Sequence, residues 1–305
     1  MLFDTPGNGC ETDTMKARRV CAIIITYHPS EEMVENLSAL RTQVDGLVVV
    51  DNGSNPEELH GLSDALNKDG LHLIENHENL GIAEALNQGV RWALSEGYPW
   101  VILFDQDSKI TERFVEEMFA TWEHHPQRER VGAVHPRYLE VETNTEAHVW
   151  RAEDGGPVKS MTSGSLYPAW IFDKLGWFAA EFFIDGVDTE FCFRIRATGY
   201  CIADSRTAVL RHSSGTPKSV TILGFTFRPS HHSAVRRYYI SRNQTVICCK
   251  YFHIFPRWIA YYSYECLRET MKCFIGEPDR FRKFRSFLLG TWDGIIGRMG
   301  KRNGI

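Results

Sequence analysis

Short apolar runs alternate with amphipathic stretches through the first third of the chain. Four runs have the length of buried strands, at residues 21–26, 46–50, 71–74 and 100–104. Helical spacing of apolar residues occupies the intervals, at 30–42, 56–66 and 79–96. Strands that alternate with helices predict an α/β fold of the doubly wound kind, in which a mostly parallel sheet is covered by helices on both faces.

The alternation weakens after residue 110. A further helix is expected over 111–124, followed by shorter strands and glycine-containing loops to about residue 217. We predict a flexible leader over 1–18, a main domain over 19–227 and a C-terminal helical region over 228–305. Residues 1–19 lack an apolar segment, so no signal peptide is expected there. No uncharged apolar run reaches the roughly 18 residues that span a bilayer.

Charge and cysteine content bear on location. The net charge is −5, yet residues 228–305 hold 15 Lys and Arg against 5 Asp and Glu. There Arg280, Lys283 and Arg285 alternate with Phe281 and Phe284, a mixture typical of membrane interfaces. We therefore predict contact with an anionic membrane surface, the alternative being a helical hairpin packed on the body. The acidic remainder opposes binding of nucleic acid.

The eight cysteines show neither a C-x-x-C motif nor zinc-like spacing, which favours a reduced protein. The expected location is cytoplasmic, peripheral on the inner face of the plasma membrane.

Carboxylates follow the fourth predicted strand directly. Asp105 and Asp107 flank Gln106 at the strand end, where an open parallel sheet binds its ligands. Two carboxylates in this position are suited to hold a hard divalent cation against a phosphate, although solvated acids in a loop are the plainer alternative. The first strand is followed by Thr26 and Tyr27 without the glycines of a dinucleotide motif, and no P-loop is present.

A second group of acids lies later in the chain. Asp185, Asp188 and Glu190 fall within six residues, and such crowding raises a carboxyl pKa and suits a general base. A helix N-terminus would act in the opposite direction, and a capped helix with a solvated acidic face is the alternative. His212 follows a further apolar run and could complete a metal site, because imidazole joins oxygen ligands around Mn²⁺.

Taken in order, these motifs resemble family 2 glycosyltransferases with the GT-A fold, and among them bacterial rhamnosyltransferases. The matches cover roughly residues 21–243. They comprise Thr26-Tyr27, Asp51-Asn52-Gly53-Ser54, Asn79-Leu80-Gly81, Asp105-Gln106-Asp107, Ser163-Gly164-Ser165, residues 182–194, Arg211-His212, Tyr238-Tyr239 and Arg242-Asn243. The resemblance implies that 19–227 is the catalytic domain, with a nucleotide-binding half at 19–107 and an acceptor half at 108–227.

The resemblance also implies roles for single residues. Donor-nucleotide contacts are expected from Thr26, Tyr27, Asp51, Asn79, Gly81, Asp105 and Arg242. Asp105, Asp107 and His212 would hold Mg²⁺ or Mn²⁺, with Asp107 the direct ligand. Asp188 would be the catalytic base, but Val187 stands where the family usually has an acid. The acceptor or sugar pocket would include Gly164, Ser165, Trp177, Asp185 and Glu190.

The activity so implied is inverting transfer of L-rhamnose from dTDP-L-rhamnose to a hydroxyl of a bacterial surface glycan, with a glycan or lipid-linked saccharide as acceptor. A UDP-hexose or UDP-N-acetylhexosamine donor is the alternative within the same fold. A non-catalytic nucleotide-sugar or glycan-binding module is a second alternative, disfavoured because Asp105, Asp107, Asp188 and His212 are all present.

Overall fold

An eight-stranded sheet organises the molecule, as seen in a computed structural model. The structure describes residues 18–30, 32–59, 71–140, 145–146, 149–212, 220–222, 225–227, 231–277, 279–302 and 304. Its strands are β1 (Val20–Thr26), β2 (Gly46–Asp51), β3 (His72–Glu75), β4 (Trp100–Asp105), β5 (Lys109–Ile110), β6 (Val131–Glu140), β7 (Leu166–Pro168) and β8 (Cys201–His212). A separate antiparallel pair is formed by β9 (Val220–Ile222) and β10 (Phe225–Phe227).

The strand order in the large sheet is β3-β2-β1-β4-β7-β6-β8-β5. The first four strands of the chain are mutually parallel, and β6 is parallel to β8. Strands β7 and β5 run antiparallel to their neighbours. The predicted mixed α/β fold with a mostly parallel sheet is therefore confirmed.

Eight α-helices accompany the sheet in the described part of the chain. They are α1 (Glu32–Arg41), α2 (Ile82–Ser95), α3 (Phe114–Glu123), α4 (Trp170–Leu175), α5 (Val187–Ala197), α6 (Ala234–Tyr251), α7 (Pro256–Gly276) and α8 (Arg280–Ile295). Residues 56–59 are also helical, while 60–66 of that predicted helix lie outside the described residues. Most of the predicted leader, residues 1–17, lies outside them as well, and the domain limits remain predictions.

Alternate side chains of β1 enter two different cores, as expected of a central strand covered on both faces. Cys21, Ile23 and Ile25 pack with α2 and α5, whereas Ala22 and Ile24 pack with α1 and α3. The short apolar runs of the sequence thus became strands because both of their faces are buried.

The C-terminal helices are partly built into this body. Helices α6 and α8 approach closely at Gly290, where an added Cβ would lie 2.2 Å from the carbonyl oxygen of Tyr238. None of the helices among the described residues combines the length and the apolar character needed to cross a bilayer.

Candidate active site

The carboxyl ends of β2, β1 and β4 meet at one edge of the sheet. Asp51 pairs with Thr26 and Asp105 pairs with Ile25, so the polar residues that follow these strands become neighbours. The Asp51 side chain is fully buried; its Oδ2 accepts hydrogen bonds from the amides of Gly53 (3.0 Å) and Ser54 (2.9 Å). Asp51 therefore holds this turn, and its contact with a nucleobase or ribose remains a prediction.

The middle residue of the D-x-D motif joins two strand ends. Oε1 of Gln106 accepts hydrogen bonds from Oγ1 of Thr26 (2.8 Å) and from the amide of Tyr27 (2.9 Å). Thr26 is buried by this arrangement, whereas 45% of Tyr27 is exposed. Of the two, only the Tyr27 side chain is available to a ligand.

The turn that carries the two carboxylates is also held from the opposite side. The buried Ser163 hydroxyl accepts a hydrogen bond from the amide of Asp105 (3.2 Å) and lies 2.6 Å from Oγ of Ser108. The amide of Ser108 donates to the carbonyl of Asp105 (3.1 Å), which closes the turn. Asp107 projects from this rigid turn as an exposed side chain. A carboxylate so presented is accessible to a cation.

Sheet topology brings His212 to the same turn. Lys109 pairs with Arg211 in the antiparallel β5–β8 ladder, so the next position in register places the backbone of His212 opposite Ser108. The His212 side chain is outside the described residues. Among the described side chains, no group of three His, Cys, Asp or Glu residues is close enough to hold a metal ion. The described part of the site thus offers Asp105 and Asp107 as oxygen ligands.

The Asn79–Gly81 segment connects the two halves of the site. Oδ1 of Asn79 accepts hydrogen bonds from the amide of Gly81 (2.9 Å) and from Asn52 (3.2 Å). Gly81 has φ +87°, and an added Cβ would lie 2.5 Å from the carbonyl oxygen of Phe183. The glycine is needed because Phe183 packs directly on it. The expected donor contact of Gly81 stays a prediction.

Helix α6 holds the loop that leads to the second acidic group. Phe183 and Asp185 adopt positive φ angles of 65° and 64°, which side-chain-bearing residues rarely do. Nδ2 of Asn243 lies within hydrogen-bonding distance of the carbonyl oxygens of Phe182 (2.9 Å), Ile184 (2.8 Å) and Asp185 (2.7 Å). The strained loop is therefore fixed by one buried amide group.

Arg242 supports the same loop. Its guanidinium is fully buried and donates to the carbonyls of Glu181, Phe182 and Gly300 and to the Asn243 side chain. Four of its five N–H groups are used in this way. Arg242 thus stabilises this loop, and its predicted contact with the donor nucleotide stays a prediction.

Asp188 lies in the first turn of α5 with one oxygen available. Oδ1 accepts a hydrogen bond from the amide of Thr189 (2.6 Å), while Oδ2 accepts none from the described residues. Burial raises the pKa of Asp188, and the charge of Asp185 adds to the rise, although Thr189 and Lys159 act in the opposite direction. A half-buried carboxylate with a free oxygen and raised proton affinity is suited to accept a proton.

Arg236 is the functional candidate that the sequence interpretation missed, because it was assigned to the membrane-facing tail. It donates to both carboxylate oxygens of Asp185 at 3.0–3.2 Å and remains half-exposed. Burial lowers the pKa of Arg236, but Asp185 and the charge of Asp105 outweigh it and raise the pKa. Arg236 therefore pairs with an acid of the loop before α5 and also experiences the charge of the strand-end Asp105. The pattern of basic and apolar residues in the C-terminal region does not indicate that Arg236 pairs with Asp185.

Three predicted acceptor-pocket residues make structural contacts. Gly164 and Ser165 are buried and pair with Leu103, and a Cβ on Gly164 would lie 2.8 Å from Leu210 and Pro136. The Glu190 carboxylate is also buried. It binds Arg194, Lys250 (2.7 Å) and the Tyr251 hydroxyl (2.8 Å).

These contacts offset the cost of burying the charged Glu190 carboxylate. Burial alone would raise its pKa, but the hydrogen bond and charge of Arg194, reinforced by Lys250, lower it. Gly164, Ser165 and Glu190 thus have structural contacts, and their predicted pocket roles stay predictions. Trp177 is 37% exposed on a separate groove, which Glu190, Arg194 and Lys250 also line, and Asp188 does not line that groove.

Comparison with known proteins decides the family. Residues 21–174, half of the chain, match the family described as glycosyl transferase family 2. The chain belongs to glycosyl transferase family 2. It is accordingly a glycosyltransferase enzyme, as predicted.

This glycosyltransferase is 29% identical over 300 residues to the dTDP-rhamnosyl transferase RfbF of Shigella flexneri; the alignment covers 92% of this chain and 97% of that protein. Two solved structures share the fold. S. aureus TarS 1–349 in complex with UDP-GlcNAc gives a TM-score of 0.61 at 14% identity, covering 91% of this chain and 80% of that one. Mannosyltransferase PcManGT from Pyrobaculum calidifontis, in complex with GDP-Man and Mn²⁺, gives a TM-score of 0.55 at 16% identity, covering 92% of this chain and 88% of that one. The predicted GT-A fold is confirmed.

Proposed function

We propose that this glycosyltransferase transfers L-rhamnose from dTDP-L-rhamnose to a hydroxyl group of a bacterial surface glycan, with inversion at the anomeric carbon. The observation that carries the proposal is the free oxygen of Asp188, whose raised pKa suits a base, beside the Asp185–Arg236 pair. Similarity to a dTDP-rhamnosyl transferase over 92% of this chain supports the donor class.

In the proposed reaction, Oδ2 of Asp188 accepts the proton of the acceptor hydroxyl. The hydroxyl oxygen attacks the anomeric carbon from the face opposite the diphosphate, and the bond from that carbon to the diphosphate oxygen breaks. The bonding electrons leave with dTDP, so the configuration of the sugar is inverted. Arg236 remains paired with Asp185 and supplies positive charge near the departing diphosphate.

Asp105, Asp107 and His212 are proposed to hold Mg²⁺ or Mn²⁺. The rigid turn after β4 presents the carboxylates, and the β5–β8 register brings the His212 backbone to that turn, so the donor set fits either ion. A bound cation would neutralise charge that develops on the leaving diphosphate. The Mn²⁺ present with PcManGT supports a divalent ion in this fold.

The donor is tested by thermal unfolding and by turnover against a panel of dTDP- and UDP-sugars, with and without Mn²⁺. We expect the largest rise in Tm, and transfer or slow hydrolysis, with dTDP-L-rhamnose in the presence of the metal. Preferential stabilisation and turnover with a UDP-hexose would replace the rhamnosyl assignment by the alternative donor. No response to any nucleotide sugar would reject the proposed function.

We further propose that the outer faces of α7 and α8 rest on an anionic membrane. Large apolar side chains repeat every three or four residues there with 40% or more of their surface exposed, as for Leu267 (58%), Phe281 (79%) and Trp292 (59%). The exposed side chains of Arg280, Arg282 and Arg285 border them. An amphipathic helical face with basic borders is typical of interfacial binding, and it would bring the enzyme to a lipid-linked acceptor.

Co-sedimentation with vesicles tests this second proposal. We expect binding to phosphatidylserine-containing vesicles, weak binding to phosphatidylcholine alone, and loss of binding in the Phe281→Glu variant. Glu146→Gln, an exposed substitution outside these helices, is the control. Vesicle binding that depends neither on lipid charge nor on the Phe281→Glu substitution would contradict the proposal. Concentration-dependent dimers without lipid binding would assign the exposed face of α7 and α8 to a second copy of the chain.

A further inference from the structure

A long groove separates the segment 150–159 from α7. It consists of a cavity of about 1020 Å³ and an adjoining one of about 160 Å³. Trp150, Val158, Phe193 and Trp258 line both cavities, so the two parts are continuous. Along α7 the lining extends from Arg257 to Glu265, a span of about 12 Å at the usual helical rise.

The smaller part of the groove is walled by aromatic rings. Trp150 meets Trp258 edge-on, with ring centroids 5.7 Å apart, and also contacts Tyr261. Nζ of Lys159 lies 5.0 Å from the centroid of Tyr262. All four rings are only half-buried, so part of each ring surface is open to the groove. Aromatic faces bordered by charged hydrogen-bonding groups match the alternating apolar faces and hydroxyls of a sugar.

Two lining residues connect this end of the groove to Asp188. Lys159 approaches from the segment before β7, and its charge lowers the pKa of Asp188 against the larger opposing effect of burial. Tyr262 approaches from α7; burial raises the pKa of its phenol, and the charges of Cys266, Asp188, Cys248 and Asp185 add to the rise. The Ser160 carbonyl, next to Lys159, lies 3.9 Å from Sγ of Cys192, one helical turn after Asp188 on α5. The Lys159 end of the groove therefore borders the helix that carries Asp188, although the carboxylate itself does not line either cavity.

The larger part of the groove is more polar. Arg151 pairs with Asp204 at 2.9 Å, and Arg196 pairs with Asp154 at 2.9 Å. Arg130 and Arg257 line the same cavity. Paired guanidinium and carboxylate groups present donors and acceptors in fixed positions, which suits recognition of hydroxyl groups along an extended chain.

We propose that this groove binds the acceptor as an oligosaccharide, with the terminal sugar against Trp150, Trp258 and Tyr261 and the preceding sugars in the polar part. The inference rests on the proposed function, because it assigns the hydroxyl delivered to Asp188 to the end of a glycan chain. A groove of this length accommodates more than one sugar ring, so acceptor efficiency should depend on chain length.

The experiment uses the full-length enzyme, dTDP-L-rhamnose with Mn²⁺, and octyl glycosides bearing one to four sugars as acceptor probes. For wild type, kcat/KM for the acceptor should rise with chain length. Trp258→Ala should reduce this gain about tenfold, the order expected for loss of one aromatic contact. Hydrolysis of the donor without acceptor should not change. Trp122→Ala is the matched control, because Trp122 is a half-buried tryptophan on α3 that contacts Trp100.

Tyr261→Ala is a second variant, used if Trp258→Ala does not fold. Three outcomes would overturn the groove assignment alone. The first is unchanged acceptor kinetics in these variants, and the second is a wild-type enzyme whose kcat/KM does not depend on acceptor chain length. The third is a wild-type enzyme that hydrolyses the donor but transfers the sugar to none of the probes. Failure of wild type to bind or hydrolyse any nucleotide sugar would instead reject the proposed function.

Discussion

Replacing Asp188 by asparagine separates the proposed chemical role from a structural one. The amide has nearly the same shape, and its oxygen can still accept the hydrogen bond from the Thr189 amide (2.6 Å). It cannot accept the proton of an acceptor hydroxyl. If Asp188 is the general base, the substitution removes catalysis while leaving the fold and the donor site intact.

The expected changes in kcat and in stability follow from the role and the burial of the Asp188 carboxylate. General-base assistance contributes about 10²–10⁴-fold, so kcat should fall by that factor, or about 2.7–5.4 kcal/mol of activation free energy. Burial raises the pKa of Asp188 above its unfolded value. The corresponding stability is present below the unfolded pKa and is lost as the pH rises through the folded pKa. At neutral pH the amide avoids this loss, so Asp188→Asn should be at least as stable as wild type.

The assay combines initial rates with dTDP-L-rhamnose, donor binding and thermal unfolding at pH 7. Asp173→Asn, an exposed acid on α4, is the control and should behave as wild type in all three. A kcat within threefold of wild type would refute the role of Asp188 as base. A large drop in both kcat and Tm would show that the carboxylate acts through the structure.

Three further substitutions test the surroundings of the base. Asn243→Ala leaves the carbonyls of Ile184 and Asp185 without their donor, whereas the Phe182 carbonyl keeps Arg242, so urea denaturation should show a loss of about 2–5 kcal/mol in the free energy of unfolding, with lower kcat. Full stability would contradict the account of the loop. Lys159→Met removes a charge that lowers the pKa of Asp188, so the acidic limb of the pH profile of kcat/KM should move to higher pH. The control Lys174→Met should leave this limb in place. An unmoved limb in Lys159→Met would show that Lys159 does not affect the proton affinity of Asp188. Arg236→Met should raise the donor KM more than it lowers kcat, with Arg206→Met as control, and an unchanged donor KM would limit Arg236 to pairing with Asp185.

Much of the fold was accessible from sequence. The runs 21–25 and 47–50 are apolar at every position because both faces of a central parallel strand are buried. Acids that follow such strands collect at one edge because parallel strands end on the same side, which is why the D-x-D turn could be located beforehand.

Only the tertiary structure decided which side chain at each motif faces the site. Arg236 and Arg242 lie six residues apart on α6, and a rotation of about 100° per residue places them on different faces of the helix. Both faces contain buried residues, so no apolar stripe in the sequence marks the face that packs on the body. Asp188 and Glu190 are separated in the same way on α5. Packing leaves an oxygen of Asp188 available and surrounds Glu190 with Arg194, Lys250 and Tyr251. Which carboxylate keeps a free oxygen depends on partners more than 50 residues away in the chain, and no local pattern contains that information.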